Sequence, residues 1–171
     1  TFAGDLGVDK LIVTGAQTYR IDGELLTLTG LGTINLESVA ELQLTGTTLA
    51  DTFEVRAWNG AITLEGLSGS DAYTIDWSAG ARGLPRIVDN GGTADHVQVI
   101  GTPGTDVFLV TGSLVRMLGA AADFRGAGIE QLTIDAGAGV DVLTVLSSPV
   151  GTFVRMFGGR ANDVLTGSAG N

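Results

Sequence analysis

The sequence predicts an all-β chain wound as a parallel β-solenoid with coils of about 20–24 residues. Three observations lead there. Apolar residues alternate with polar ones instead of recurring at helical spacing, glycine reaches 27 of 171 residues without a collagen period, and one Asp-centred motif returns seven times. A repeat that cannot bury its apolar face alone stacks on its neighbours and shares a continuous core with them. A β-sandwich also has short strands and frequent turns, but it has no reason to place the same element after so many of its turns.

In chain order the copies are GDLGVDKLIV, GTTLADTFEV, GLSGSDAYTI, NGGTADHVQV, GTPGTDVFLV, AGAGVDVLTV and GGRANDVLTG, aligned on Asp9, Asp51, Asp71, Asp95, Asp106, Asp141 and Asp163. Two residues after each Asp stands Leu11, Phe53, Tyr73, Val97, Phe108, Leu143 or Leu165. Four residues after it stands Val13, Val55, Ile75, Val99, Val110 or Val145, with Gly167 in the last copy. Positions i, i+2 and i+4 of a strand share a face, so each copy reads as a turn, an inward Asp and a strand with one apolar face. The Asp spacings are 42, 20, 24, 11, 35 and 22 residues; several fit one or two coils, and 11 fits half a coil.

Two longer echoes support the repetition. VAELQLTGTTLADTFEV from Val39 aligns without a gap on IEQLTIDAGAGVDVLTV from Ile129, and GSLVRMLG from Gly112 pairs with GTFVRMFG from Gly151. The whole chain, 1–171, reads as one solenoid domain. Segments 78–90 (SAGARGLPRIVDN) and 119–128 (GAAADFRGAG) are expected as loop excursions from it.

Nineteen acidic residues against nine basic ones give a net charge of −10, which disfavours nucleic acid and anionic membranes. Membrane insertion is not expected, because no apolar stretch approaches the roughly 18–20 residues of a membrane helix. A hydrophobic content of 44% and a mean hydropathy of +0.32 separate the chain from a disordered acidic tail. With no cysteine, thiolate catalysis and Cys-type zinc sites are excluded. The chain begins at Thr1 and stops in GSAGN, and tail joined to head gives an unbroken series of turns. It reads as a segment of a longer array or a subunit that stacks end to end. The expected partners are copies of itself or adjacent repeats of the same chain, with surface glycans as a further class.

At GGRANDVLTG and GTPGTDVFLV the sequence resembles the haemolysin-type, or repeats-in-toxin, calcium-binding family, whose nonapeptide runs Gly-Gly-x-Gly-x-Asp-x-apolar-x. The resemblance spans the seven Asp motifs, roughly 70 of the 171 residues, and no copy carries all three glycines. It implies a secreted or cell-surface bacterial protein, such as a giant adhesin, whose parallel β-roll takes up Ca²⁺ between adjacent turns.

The inward Asp residues need partners, because carboxylates one strand spacing apart repel. One reading is Ca²⁺ shared between turns, held by Asp51 with Asp71 and by Asp141 with Asp163, with Asp95 and Asp106 as further candidates. The other is that each Asp accepts N–H groups of its own tight turn. Calcium is the one cofactor this chemistry suggests.

No catalytic residue stands out. His96, the only histidine, shares parity with the outward positions. Nucleophile elbows, phosphate loops and zinc spacings are missing from the sequence. A carbohydrate-acting β-helix enzyme would need clustered carboxylates, for which Asp76, Asp89 and Asp123 are the only candidates. Trp58 and Trp77 are expected in the core, and Arg116 and Arg155 on outer strand faces. The expected function is therefore not enzymatic: a structural or adhesive module of an extracellular repetitive surface protein or self-assembling filament, with a calcium-responsive or glycan-binding module as the alternative.

Overall fold

A computed structural model describes residues 9–80, 83–117, 120–124 and 128–168. Gly7 of the first motif copy, and most of the two terminal segments on which the tail-to-head reading rests, lie outside the described residues. The chain is all-β, with seventeen strands and no helix among the described residues. In chain order they are β1 (Asp9–Thr14), β2 (Thr18–Asp22), β3 (Leu25–Leu28), β4 (Gly32–Asn35), β5 (Val39–Thr45), β6 (Thr52–Arg56), β7 (Ala61–Glu65), β8 (Ala72–Asp76) and β9 (Leu84–Val88). There follow β10 (Asp95–Ile100), β11 (Val107–Thr111), β12 (Leu114–Met117), β13 (Ala120–Phe124), β14 (Ile129–Asp135), β15 (Val142–Ser147), β16 (Phe153–Phe157) and β17 (Val164–Thr166).

They form two open sheets, ordered β1-β5-β7-β9-β13-β12-β11-β15-β17 and β16-β14-β10-β8-β6-β2-β3-β4. Pairing is parallel except within two antiparallel meanders, β2–β3–β4 and β11–β12–β13. Outside those meanders, successive strands fall in alternate sheets. Parallel neighbours within one sheet need a crossover, and here the opposite sheet supplies it.

The alternation read from the sequence is what closes the core between the sheets. Along β6 and β8 the buried residues are Phe53 and Val55, then Tyr73 and Ile75, while the residues between them are half-buried. Parallel, in-register pairing sets like on like, so Tyr19, Phe53 and Tyr73 stack with centroids 5.0 and 5.1 Å apart and rings within 6° of parallel. Leu42, Leu44, Ile62, Leu64 and Ile87 line the facing sheet, and Trp58 and Trp77 are buried in the same cluster.

The long sequence echo has a structural counterpart. Strands β1 to β8 recur as β10 to β17 with the two sheets exchanged: β4-β3-β2-β6-β8 in one sheet has the same order and pairing as β13-β12-β11-β15-β17 in the other. Even the irregularities repeat, since β1–β5 slips one residue between Asp9 and Lys10 and β10–β14 slips one between Asp95 and His96. Strand β9 is the extra strand that moves the second unit to the opposite sheet. The shorter echo has no such equivalence, because β12, with Arg116, belongs to a meander whereas β16, with Arg155, runs parallel to β14.

Neither expected excursion is merely a loop. Segment 78–90 contains β9, paired along its length with β7, and Pro85 lies ahead of the stretch (Arg86, Ile87) that also pairs with β13. Its residues 81–82 lie outside the described residues. Within 119–128, strand β13 lies between β12 and β9 with Ala120, Ala122 and Phe124 buried, and residues 119 and 125–127 lie outside the described residues.

Candidate functional site

The motif Asp residues form two columns. Asp51 and Asp71 directly precede β6 and β8 and Asp95 opens β10, all in one sheet; Asp106, Asp141 and Asp163 precede β11, β15 and β17 in the other. Asp95 and Asp106, 11 residues apart, therefore belong to different columns. Asp9, at the start of β1, lies in the same sheet as the second column.

Within a column the carboxylate beside one strand caps an amide at the start of the parallel strand next to it. Asp71 Oδ1 accepts the Asp51 N–H at 2.8 Å, Asp95 Oδ1 accepts that of Asp71 at 2.7 Å, and Glu130 Oε2 accepts that of Asp95 at 2.7 Å. In the second column Asp141 Oδ1 accepts the Asp106 N–H at 2.7 Å and Asp163 Oδ1 accepts that of Asp141 at 2.9 Å. Asp51 and Asp106 also close their own turns, accepting the N–H and hydroxyl of Thr47 and Thr102 respectively. The own-turn reading thus fits those two residues, while the intercoil amide is an arrangement that the sequence reading did not include. The suggested pairs Asp51 with Asp71 and Asp141 with Asp163 are column neighbours.

At four of the motifs a glycine five residues before the Asp makes room for its carboxylate. A Cβ on Gly101 would lie 2.7 Å from Asp106 Oδ2 and 2.6 Å from the Ala136 carbonyl oxygen, and Gly46, Gly66 and Gly158 are closed in the same way by Asp51, Asp71 and Asp163. Beside Gly66, just past the end of the paired strand β9, stands Asp89, since Glu65 pairs with Val88. Where its neighbours leave space for one carboxylate, this coil adds another.

The result is a cluster of Asp71, Asp89 and Asp95, each contributing an oxygen within 4.8 Å of the others, with exposures of 1%, 1% and 0%. Tyr73 donates its hydroxyl to Asp89 Oδ2 at 2.7 Å, and Asp89 Oδ1 accepts the Gly91 N–H. Asp71 Oδ2 and Asp95 Oδ2 have no hydrogen-bond partner. Two full charges 4.8 Å apart repel by about 3.5 kcal/mol at an effective dielectric of 20. Burial raises the carboxyls of Asp71 and Asp89 above their ordinary range and that of Asp95 to about 6, and the neighbouring acids Asp51, Asp89 and Glu130 add to this. Burial also raises Tyr73, so its hydroxyl keeps the proton it donates. Three carboxylates and a phenol make a hard, oxygen-only donor set.

The remaining candidates are scattered. Asp76 lies on the outer side of β8 within 3.6 Å of Arg56, Asp123 is on β13 in the other sheet, and Asp89 is buried, so these three do not assemble on one face. His96 Nε2 is 2.9 Å from Thr133 Oγ1 on the neighbouring strand, and Arg155 lies over the Phe153 ring. Sequence reading missed Glu130, which follows no Asp motif, and placed Asp89 only among carbohydrase candidates. Alignment on the motif Asp does not mark Asp89, which stands six residues before Asp95, whereas Asn90 takes the place of Gly46 and Gly66 five residues before it. The chain matches no protein-family model, no curated protein and no solved structure.

Proposed function

We propose that this chain is a β-solenoid structural module of an extracellular repetitive surface protein or filament, and that its units join end to end. The carrying observation is the exchanged duplication. The junction between the two units lies within the chain, where β10 pairs with β8 and Asp95 caps the Asp71 amide. By the duplication β17 repeats β8, so the end at β17 repeats the surface on which β10 docks.

That end is not finished by the described residues. Leu165 is 46% exposed at the inward position where its paired neighbour Leu143 is fully buried. Val154 and Met156 border an opening of about 220 Å³ between the sheets. Edge strands of this kind pair with further chain unless covered. A following unit's Asp9 would cap the Asp163 amide as Asp95 caps Asp71. Extracellular placement rests on the repeats-in-toxin resemblance of the Asp motifs.

Sedimentation velocity and electron microscopy over a concentration series test this reading. The expected result is concentration-dependent lengthening into single-file rods, abolished by Leu165→Lys with the β-sheet circular dichroism retained. A chain that stays monomeric at its highest soluble concentration, or rods unaffected by Leu165→Lys, would overturn it.

A further inference from the structure

We propose that Asp71, Asp89 and Asp95 form an interior binding site for one divalent cation, with Ca²⁺ the best match, at the junction between the two units. This does not depend on end-to-end assembly. Two independent features point to a ligand. Asp89 is a carboxylate where Gly46 and Gly66 of the neighbouring coils leave no room even for a Cβ, so the coil is built around an added negative group. In addition, two oxygens of fully buried side chains are left without a partner.

Both belong to residues of the cluster. The other oxygen of each residue is taken: Asp71 Oδ1 by the Asp51 amide and Asp95 Oδ1 by the Asp71 amide. Asp71 Oδ2 and the Tyr73 hydroxyl crowd the same point beside Gly66, and Tyr73 bonds Asp89, which sets Asp71 Oδ2 on the Asp89 side. The amides of Asp51 and Asp71 thus fix Asp71 and Asp95 and leave the second oxygen of each without a partner, while Asp89 is held by Tyr73 and the Gly91 amide.

Size and charge select the ion. Oxygens at 2.3–2.6 Å from one Ca²⁺ lie up to roughly 5 Å apart, whereas the 2.0–2.1 Å shell of Mg²⁺ limits that span to about 4.2 Å. The three oxygens all lie within 4.8 Å of one another, a span that the Ca²⁺ shell accommodates in full. The charges acting on the three carboxyls come from each other, Asp51 and Glu130, all acidic, so a cation relieves a repulsion that no described basic side chain offsets.

The test is calorimetric titration of the chelator-treated, desalted full chain with CaCl₂, alongside Tb³⁺ luminescence excited through the aromatic residues. The expected result is one high-affinity site, weakened at least tenfold by Asp89→Asn and by Asp89→Gly, which restores the glycine of the neighbouring coils. Asp141→Asn, in the other column, should leave that site unchanged. Absence of binding to the folded chain, or equal affinity in wild type and Asp89→Asn, would overturn the proposal. So would an Asp89→Asn chain stabilised to the same extent with and without Ca²⁺ as wild type, since the cluster would then be held by shared protons.

Discussion

Replacing Asp141 with alanine isolates one rung of a carboxylate column. The change deletes the Oδ1 atom that accepts the Asp106 amide at 2.7 Å, at a position with 0% exposure. A buried amide left without an acceptor costs about 1–3 kcal/mol. Asp141 opposes part of this, because burial pushes its carboxyl up, Asp106 and Asp163 repel it and its Oδ2 has no partner. The net expectation is a loss of about 2 kcal/mol. Unfolding entropy of roughly 2.1 cal/mol/K per residue over 171 residues turns that into a fall in Tm of about 6 °C. Asp141→Asn keeps the acceptor and discards the charge, so it should remain within about 1 kcal/mol of wild type. Thermal unfolding with amide hydrogen exchange read at Asp106 measures both. An alanine variant that melts with wild type while the Asp106 amide stays protected would refute the reasoning, as would equal losses for Ala and Asn.

Other expectations follow from neighbouring sites. Gly101→Ala would press a Cβ against Asp106 Oδ2 and the Ala136 carbonyl oxygen at 2.7 and 2.6 Å, and should cost more than 2 kcal/mol in urea unfolding, about the upper range for a forced core contact. Tyr73→Phe strips Asp89 Oδ2 of its 2.7 Å hydrogen bond and should cost about 1–3 kcal/mol by the same assay, measured in metal-free protein. Metal-free protein should also lose stability as pH rises from about 4 to 6. The Asp95 carboxyl, facing Asp71, Asp89 and Glu130, titrates at about 6 in the fold against 3.8 ordinarily, so across that window the folded state holds the extra proton. A melting temperature that climbs steadily over the same interval would contradict this assignment.

Much of the fold was legible because the two signals that specify it are local. Alternation along segments such as TFEV and AYTI names the inward residues, and the Asp before each segment marks where a strand begins. The 11-residue step from Asp95 to Asp106 carries the chain from one sheet to the other. The exchange of sheets was hidden, because an alignment on Asp treats every copy as equivalent and cannot say which sheet follows. Segment 78–90 misled because Gly83 and Pro85 signal a turn, whereas Gly83 lies close against the Trp58 carbonyl oxygen and Pro85 is a buried residue within β9. Of the acidic cluster, Asp71 and Asp95 were legible as motif positions. Asp89 was not, since its meaning comes from standing beside Gly66 in space, 23 residues away in the chain.

Residue-resolved amide hydrogen exchange, compared in dilute and concentrated protein, tests the stacked-coil account most directly. The amides of Asp51, Asp71, Asp106 and Asp141, each held by the next carboxylate in its column, should exchange slowly at every concentration. The Asp163 amide should exchange fast in dilute protein and become protected as units join. Fast exchange along the columns, or an Asp163 amide indifferent to concentration, would contradict the account.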